Sequence, residues 1–254
     1  MRRVLVIGLN TFRENLREKL LYNLVIFALL IIGSSILLQR LTLGDSSRLI
    51  LDLGLAAINV FGVLIAIFIG IGLVSKEIDK KTIYTIISKP VPRYEFLLGK
   101  YLGLSITLMV NTLIMLVGFL LVLVYMEVPI GILLFKAVLF IFMELMVLTA
   151  VALLFSTFTT PTLSAIFTLA IYVIGHLTGD LKALGAKLGG MGQSFLTGLY
   201  YVMPNLENFN IKGQVIHHVD LPGGTMILIL AYGLLYTGIL LLLATIIFQR
   251  RDFR

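Results

Sequence analysis

The chain has 254 residues, 59% of them apolar and only 13% charged, and its mean hydropathy is +1.06. Soluble domains carry about a quarter charged residues, so this composition describes an integral membrane protein, and the net charge of +7 points to anionic lipid and basic cytoplasmic loops rather than nucleic acid. Cysteine is absent, which excludes disulfides, a thiolate metal site and a cysteine nucleophile; Trp is absent too, leaving ten Tyr and sixteen Phe to form any interfacial aromatic belt.

Residues 1–19 read as a basic amphipathic helix lying in the membrane interface. Val4, Ile7, Leu9, Phe12 and Leu16 supply apolar contact, and Arg2, Arg3, Arg13, Arg17 and Lys19 supply charge. No small-residue cleavage site follows, so the segment does not read as a cleavable signal. The first span is 20–38, close to the ~20 residues a bilayer requires. A polar loop over 39–52 (Gly44, Asp45, Ser46, Ser47, Arg48) leads to the second span, 53–74, where Gly54, Gly62, Gly70 and Gly72 permit close helix approach. A basic elbow, 75–100, comes next. Further spans follow at 101–126, 133–155, 162–177 (a short one) and 226–248. The segment 178–224 is glycine-rich, and its apolar piece, 194–203, is too short and interrupted to span; it reads as an external re-entrant or interfacial hairpin. The expected fold is an all-α integral membrane protein of six transmembrane helices in one domain, with no internal repeat.

Fourteen of the twenty Lys and Arg residues fall in the N-terminal segment, the elbow and the tail. The positive-inside rule then puts both termini in the cytoplasm, in agreement with the parity of six spans.

The elbow, SKEIDKKTIYTIISKPVPRYEFLLGK, carries Lys76, Lys80, Lys81, Lys89, Arg93 and Lys100. It contains a helix-like stretch, Glu77–Ile87, halted by Pro90 and Pro92. Ile83, Ile86 and Ile87 share one helical face, and Lys76 and Lys80 another. Such a helix can lie in the lipid interface, dock a protein partner, or be an ordinary basic cytoplasmic loop.

At this elbow the chain resembles permease subunits of type-2 ATP-binding-cassette exporters. The family pattern after the second span reads here as Glu77, Thr82, Ile86, Ile87, Ser88, Pro90, Arg93 and Lys100; Lys81 stands where glycine is usual, so the helix is expected to continue there. The N-terminal amphipathic helix, the long segment before the last span and the Arg250–Phe253 tail are similar to the family as well. Within the family, Pro204–Phe209 (PNLENF) looks like the permease of the nitrous-oxide-reductase maturation system. The resemblance implies two permease copies, most simply a homodimer, docked on two ATPase subunits through a coupling helix formed by Glu77, Lys81, Thr82, Ile83, Ile86, Ile87, Ser88, Pro90 and Arg93. ATP and Mg would sit on those partner subunits. The chain itself has no G-x-x-x-x-G-K-[ST] phosphate loop; LLGKY at 97–101 lacks the upstream glycine and the following hydroxyl.

Within the spans Glu144 stands out, in IFMELMV. A carboxylate there is costly unless it is paired, protonated or facing a cavity. It reads either as a cavity-lining or proton-linked group, or as a hydrogen-bond partner of Asn111, Thr107 or Asn59. Asn59 and Asn111 read as interhelical polar glue, with a substrate contact as the alternative. His176, His217 and His218, with Asp180 and Asp220, lack metal-ligand spacing and read as loop polarity near the outer interface, 217–220 also fitting contact with an external partner. No GxSxG, no HExxH and no intramembrane Asp pair is present, so no catalytic residues are assigned. Two functions remain in competition: a permease half of an exporter, and a non-transporting adaptor that passes ATPase strokes to an external protein through 178–224.

Overall fold

A computed structural model describes residues 2–39, 46–79, 92–188, 190–217, 219 and 222–250. Among them every regular element is helical: α1 (Arg2–Asn15), α2 (Lys19–Gln39), α3 (Ser46–Asp79), α4 (Arg93–Tyr125), α5 (Ile132–Ser156), α6 (Pro161–His176), α7 (Thr178–Leu188), α8 (Gly190–Val202), a 3-10 turn (Leu206–Phe209), α9 (Lys212–His217) and α10 (Gly223–Arg250). Five helices are long and apolar enough to cross a membrane: α2, α3, α4, α5 and α10. A sixth crossing requires α6 and α7 together, which meet at a 70° bend.

The expected spans coincide with helices but their ends do not. The polar loop closes early, because α3 already starts at Ser46, and it runs on to Asp79 rather than stopping at residue 74. Backbone hydrogen bonding continues where hydrophobicity stops, so a helix outruns its apolar stretch. The second half of the elbow is helical for the same reason. Pro92, with φ −59° and ψ 139°, stands just before the first turn of α4, so Arg93–Lys100 belongs to the third long helix.

α5 is apolar around its whole circumference, the mark of a helix enclosed on all sides. It packs against α3, α4, α6 and α10. Most of its residues are buried, including Phe140, Leu145, Val147, Leu148 and Leu153. The second-span glycines allow this closeness. A β-carbon at Gly62 would sit 2.6 Å from Leu145, and one at Gly54 would occupy the place of the Phe119 ring.

The N-terminal helix is not a lone interfacial strip. It ends at Asn15 and docks on α4 through its smallest residues, Gly8, Thr11 and Asn15, while Leu5, Val6 and Leu9 face outward. Gly99 and Gly103 of α4 leave the room: a β-carbon on Gly103 would stand 2.6 Å from the Gly8 carbonyl oxygen. Of the apolar side chains expected to make contact, Ile7 packs over Gly99 in the seam and Leu9 faces outward, and the closest approach is left to small residues, the usual solution where helices meet in lipid.

With 16 residues, α6 is about 24 Å long and falls short of a ~30 Å hydrocarbon core. Beyond its end the chain folds back. α7 and α8 pack on each other, and the 3-10 turn and α9 enter the bundle against α3, α5 and α6. Leu206, Phe209, Ile211 and Val215 are buried there. Gly175 makes the seat: a side chain at that position would collide with Leu206 at 2.7 Å and with the Pro204 carbonyl at 2.8 Å. The Tyr232 hydroxyl accepts from the Asn205 amide at 2.8 Å, and the Tyr236 hydroxyl donates to the Val202 carbonyl at 2.9 Å, tying this insert to α10.

Candidate functional site

The residues expected to contact an ATPase are divided by the limits of the described chain. Lys81, Thr82, Ile83, Ile86, Ile87, Ser88 and Pro90 lie outside the described residues, and Glu77 is described only as backbone in the last turns of α3. Arg93 is placed in full. Its Nη1 donates to the Phe248 carbonyl at 2.9 Å and the Gln249 carbonyl at 3.0 Å. Those oxygens lie in the last described turn of α10, toward the negative end of its dipole, which favours a cation. The guanidinium carbon also lies 6.0 Å from the centre of the Phe248 ring, which stacks on Phe96. Arg93 thus fastens the start of α4 to the end of α10. Lys100, buried in the α1–α4 seam, pairs with Glu14 at 3.5 Å and lies 5.7 Å from the Phe96 ring centre.

The intramembrane candidates separate into two clusters. Asn59, on α3, donates from Nδ2 to Glu144 Oε2 at 2.8 Å, and the Tyr172 hydroxyl of α6 donates to Asn59 Oδ1 at 2.9 Å. His176, the last residue of α6, brings Nε2 to 3.4 Å from Glu144 Oε1. Its other nitrogen, Nδ1, lies 3.1 Å from the Tyr172 carbonyl. Three helices are thereby joined through one carboxylate that is 1% exposed. Asn59 is the partner among the three candidates considered for Glu144. Asn111 and Thr107 are not: Asn111 Nδ2 donates to the Thr107 carbonyl of its own helix at 2.7 Å, and the Thr107 hydroxyl accepts from Asn15 of α1 at 3.1 Å. Asn111 therefore makes an intrahelical bond, not the interhelical one expected.

His176 corrects the sequence reading most. It is part of the core cluster instead of loop polarity, because α6 ends level with Glu144. Two features of the sequence carried this information. The fifth apolar run is too short to reach an opposite surface, and Tyr172 and His176 are spaced i, i+4, on one helix face. Tyr172, one turn earlier on that face, joins the cluster through its hydroxyl. His217 is described only as backbone and His218 and Asp220 not at all. Among the described residues no three His, Asp or Glu side chains gather as a metal site would require.

Charges of both signs surround the cluster from the insert. Lys212, at the start of α9, has its pKa lowered by burial, an effect opposed by Glu144, Asp52 and Glu207. The arrangement as a whole is a buried, mostly satisfied polar knot where the short helix, the central helix and the inserted segment meet.

No curated protein matches the sequence. A family model described as ABC-2 family transporter protein matches residues 5–253, covering both the bundle and the insert. With five to six helices apolar enough to cross a membrane among its described residues, this multi-pass membrane protein belongs to the ABC-2 transporter family.

Proposed function

We propose that the chain is the permease half of an ATP-binding-cassette exporter, paired with a second copy and driven by two separate ATPase subunits docked on the elbow at 75–100. One observation supports this above the others: α1, the start of α4 and the end of α10 are gathered at one end of the bundle, locked by Arg93 and by the Glu14–Lys100 pair. The two helix ends that flank the elbow open at that end. In the sequence, the N-terminal segment, the elbow and the tail together carry fourteen of the chain's twenty Lys and Arg residues, the balance of a cytoplasmic face in an inner membrane. A push on the elbow would enter α3 and α4 directly and reach α10 through Arg93, the rigid-body transmission that alternating access uses. Reversing charge at Lys80 and Lys81 should abolish substrate-linked stimulation of the co-expressed ATPase while leaving membrane insertion intact. Unchanged stimulation would refute the docking assignment.

A second reading, the mechanical adaptor, has its own observation. Leu188, Met191, Phe195 and Tyr201 of the α7–α8 hairpin are exposed, Met191 at 91%. Crosslinking of an external protein from position 195, together with no flux of any exported compound, would favour it. The PNLENF stretch supports a narrower form of either reading, a permease of the nitrous-oxide-reductase maturation type; an adjacent metalloenzyme gene would support that form.

A further inference from the structure

From the contacts of His176 we infer that Glu144 and His176 form a proton-binding site in the middle of the bundle, and that the proton held there fastens the corner between α6 and α7. This inference is independent of the ATPase docking proposed above.

The argument is one of donors and acceptors. The Tyr172 carbonyl can only accept, so His176 Nδ1, 3.1 Å away, carries a hydrogen. A neutral imidazole with hydrogen on Nδ1 leaves Nε2 with a bare lone pair. That lone pair faces Glu144 Oε1 at 3.4 Å. On the other side Glu144 Oε2 is occupied by the Asn59 amide, whose own oxygen is held by Tyr172. Among the described residues Oε1 accepts no hydrogen bond, although it is buried. A carboxylate and a lone pair this close, with no donor between them, repel. The contact becomes attractive once one proton is added, on the imidazole as an ion pair or on the carboxyl as a neutral pair. Both forms hold the same number of protons, and both make Oε1···H···Nε2 a bond.

The charged groups around this pair belong to three elements. Lys212 comes from α9 and Glu207 from the 3-10 turn, while Asp52 of α3 acts on Lys212. Glu144 is closed off, whereas the His176 side chain is 24% exposed, so the proton enters and leaves through the histidine. His176 is the last residue of α6, separated by Leu177 alone from the start of α7 at the 70° bend. With the proton bound, the corner is tied to α3 and α5 through Glu144. With the proton lost, two acceptors face each other and the tie is broken. The corner is therefore fastened at low pH and released as pH rises through the titration of the pair.

Two measurements on the full chain in lipid nanodiscs test this. In protein labelled with 15N-histidine, with His217 and His218 replaced by Asn, His176 should show hydrogen on Nδ1 at every pH and one pH-dependent change at Nε2. Glu144→Gln offers Nε2 an amide hydrogen in place of the proton while still accepting from Asn59, so the Nε2 change should vanish over that pH range. For the corner, spin labels at Lys187→Cys and Ile132→Cys, unambiguous in a cysteine-free chain, should give a narrow distance distribution at low pH and a broad one at high pH. In the E144Q background it should be narrow throughout. A hydrogen on Nε2 with Nδ1 bare in the parent protein would overturn the proton site. A pH-dependent broadening that persists in E144Q would overturn the tie.

Discussion

Two buried polar clusters sit between apolar helices in this protein, and they differ in kind. In the α1–α4 seam, Asn15, Thr107 and Asn111 form a set of amides and one hydroxyl that spend their donors on neighbouring carbonyls or on one another. The α3–α5–α6 cluster, Asn59, Glu144, Tyr172 and His176, contains a carboxyl facing an imidazole and an oxygen without a donor. The bonds of Asn15, Thr107 and Asn111 do not depend on a bound proton, and their worth is modest, as polar bonds between membrane helices generally are. The ionisable cluster is complete only in one protonation state. Buried polarity of equal depth can thus serve as plain adhesive in one place and as a sensor in another, and donor counting separates the two cases.

The largest expected difference between the clusters comes from Asn59→Leu. It strands both Glu144 Oε2 and the Tyr172 hydroxyl in an apolar interior, and about 2–5 kcal/mol of stability should be lost in thermal unfolding. A loss below about 1 kcal/mol would mean that the ionisable cluster is no more demanding than the seam. Gly103→Leu attacks the seam by steric means, forcing α1 off α4 at a cost of about 1–3 kcal/mol. Hydrogen exchange in residues 4–15 should accelerate strongly while residues 140–150 stay protected. Arg93→Gln comes next. Removing a charged donor from the last carbonyls of α10 should cost about 1.5 kcal/mol and speed exchange at residues 247–250 by roughly tenfold. Thr107→Val is the smallest, at about 0.6 kcal/mol, with no dependence on pH because neither Thr107 nor its partners Asn15 and the Gly103 carbonyl titrate.

Much of the bundle was legible because lipid imposes one rule on every span: an apolar run of sufficient length closes its own backbone hydrogen bonds. Helix ends escaped that rule. Ser46–Asp52 and Arg93–Lys100 are polar enough to look like loops, yet they extend neighbouring helices. Most of the docking face of α1 escaped too, since hydrophobic periodicity marks what prefers lipid, and the surface that packs is made of Gly8, Thr11 and Asn15 beside the one apolar residue Ile7. At the site, Glu144 announces itself by the cost of its charge, and Asn59 was among its foreseeable partners. His176 was hidden by an assumption about depth. A residue at the end of an apolar run is normally at a surface, but here the run stops partway and its last side chain stays inside.

The short sixth helix also bears on the order in which the molecule can be built. The recess beside its end is filled by residues 204–217, and the start of this stretch is tied to α10 through Asn205 to Tyr232 and through the preceding Val202 to Tyr236, on a helix that leaves the ribosome after them. Until that helix arrives, the recess beside Gly175 has nothing to hold its filling in place. A nascent chain arrested before residue 226 should therefore carry an unfinished far end on an otherwise assembled bundle, and completion of the protein would be a single late event at the side remote from both chain ends.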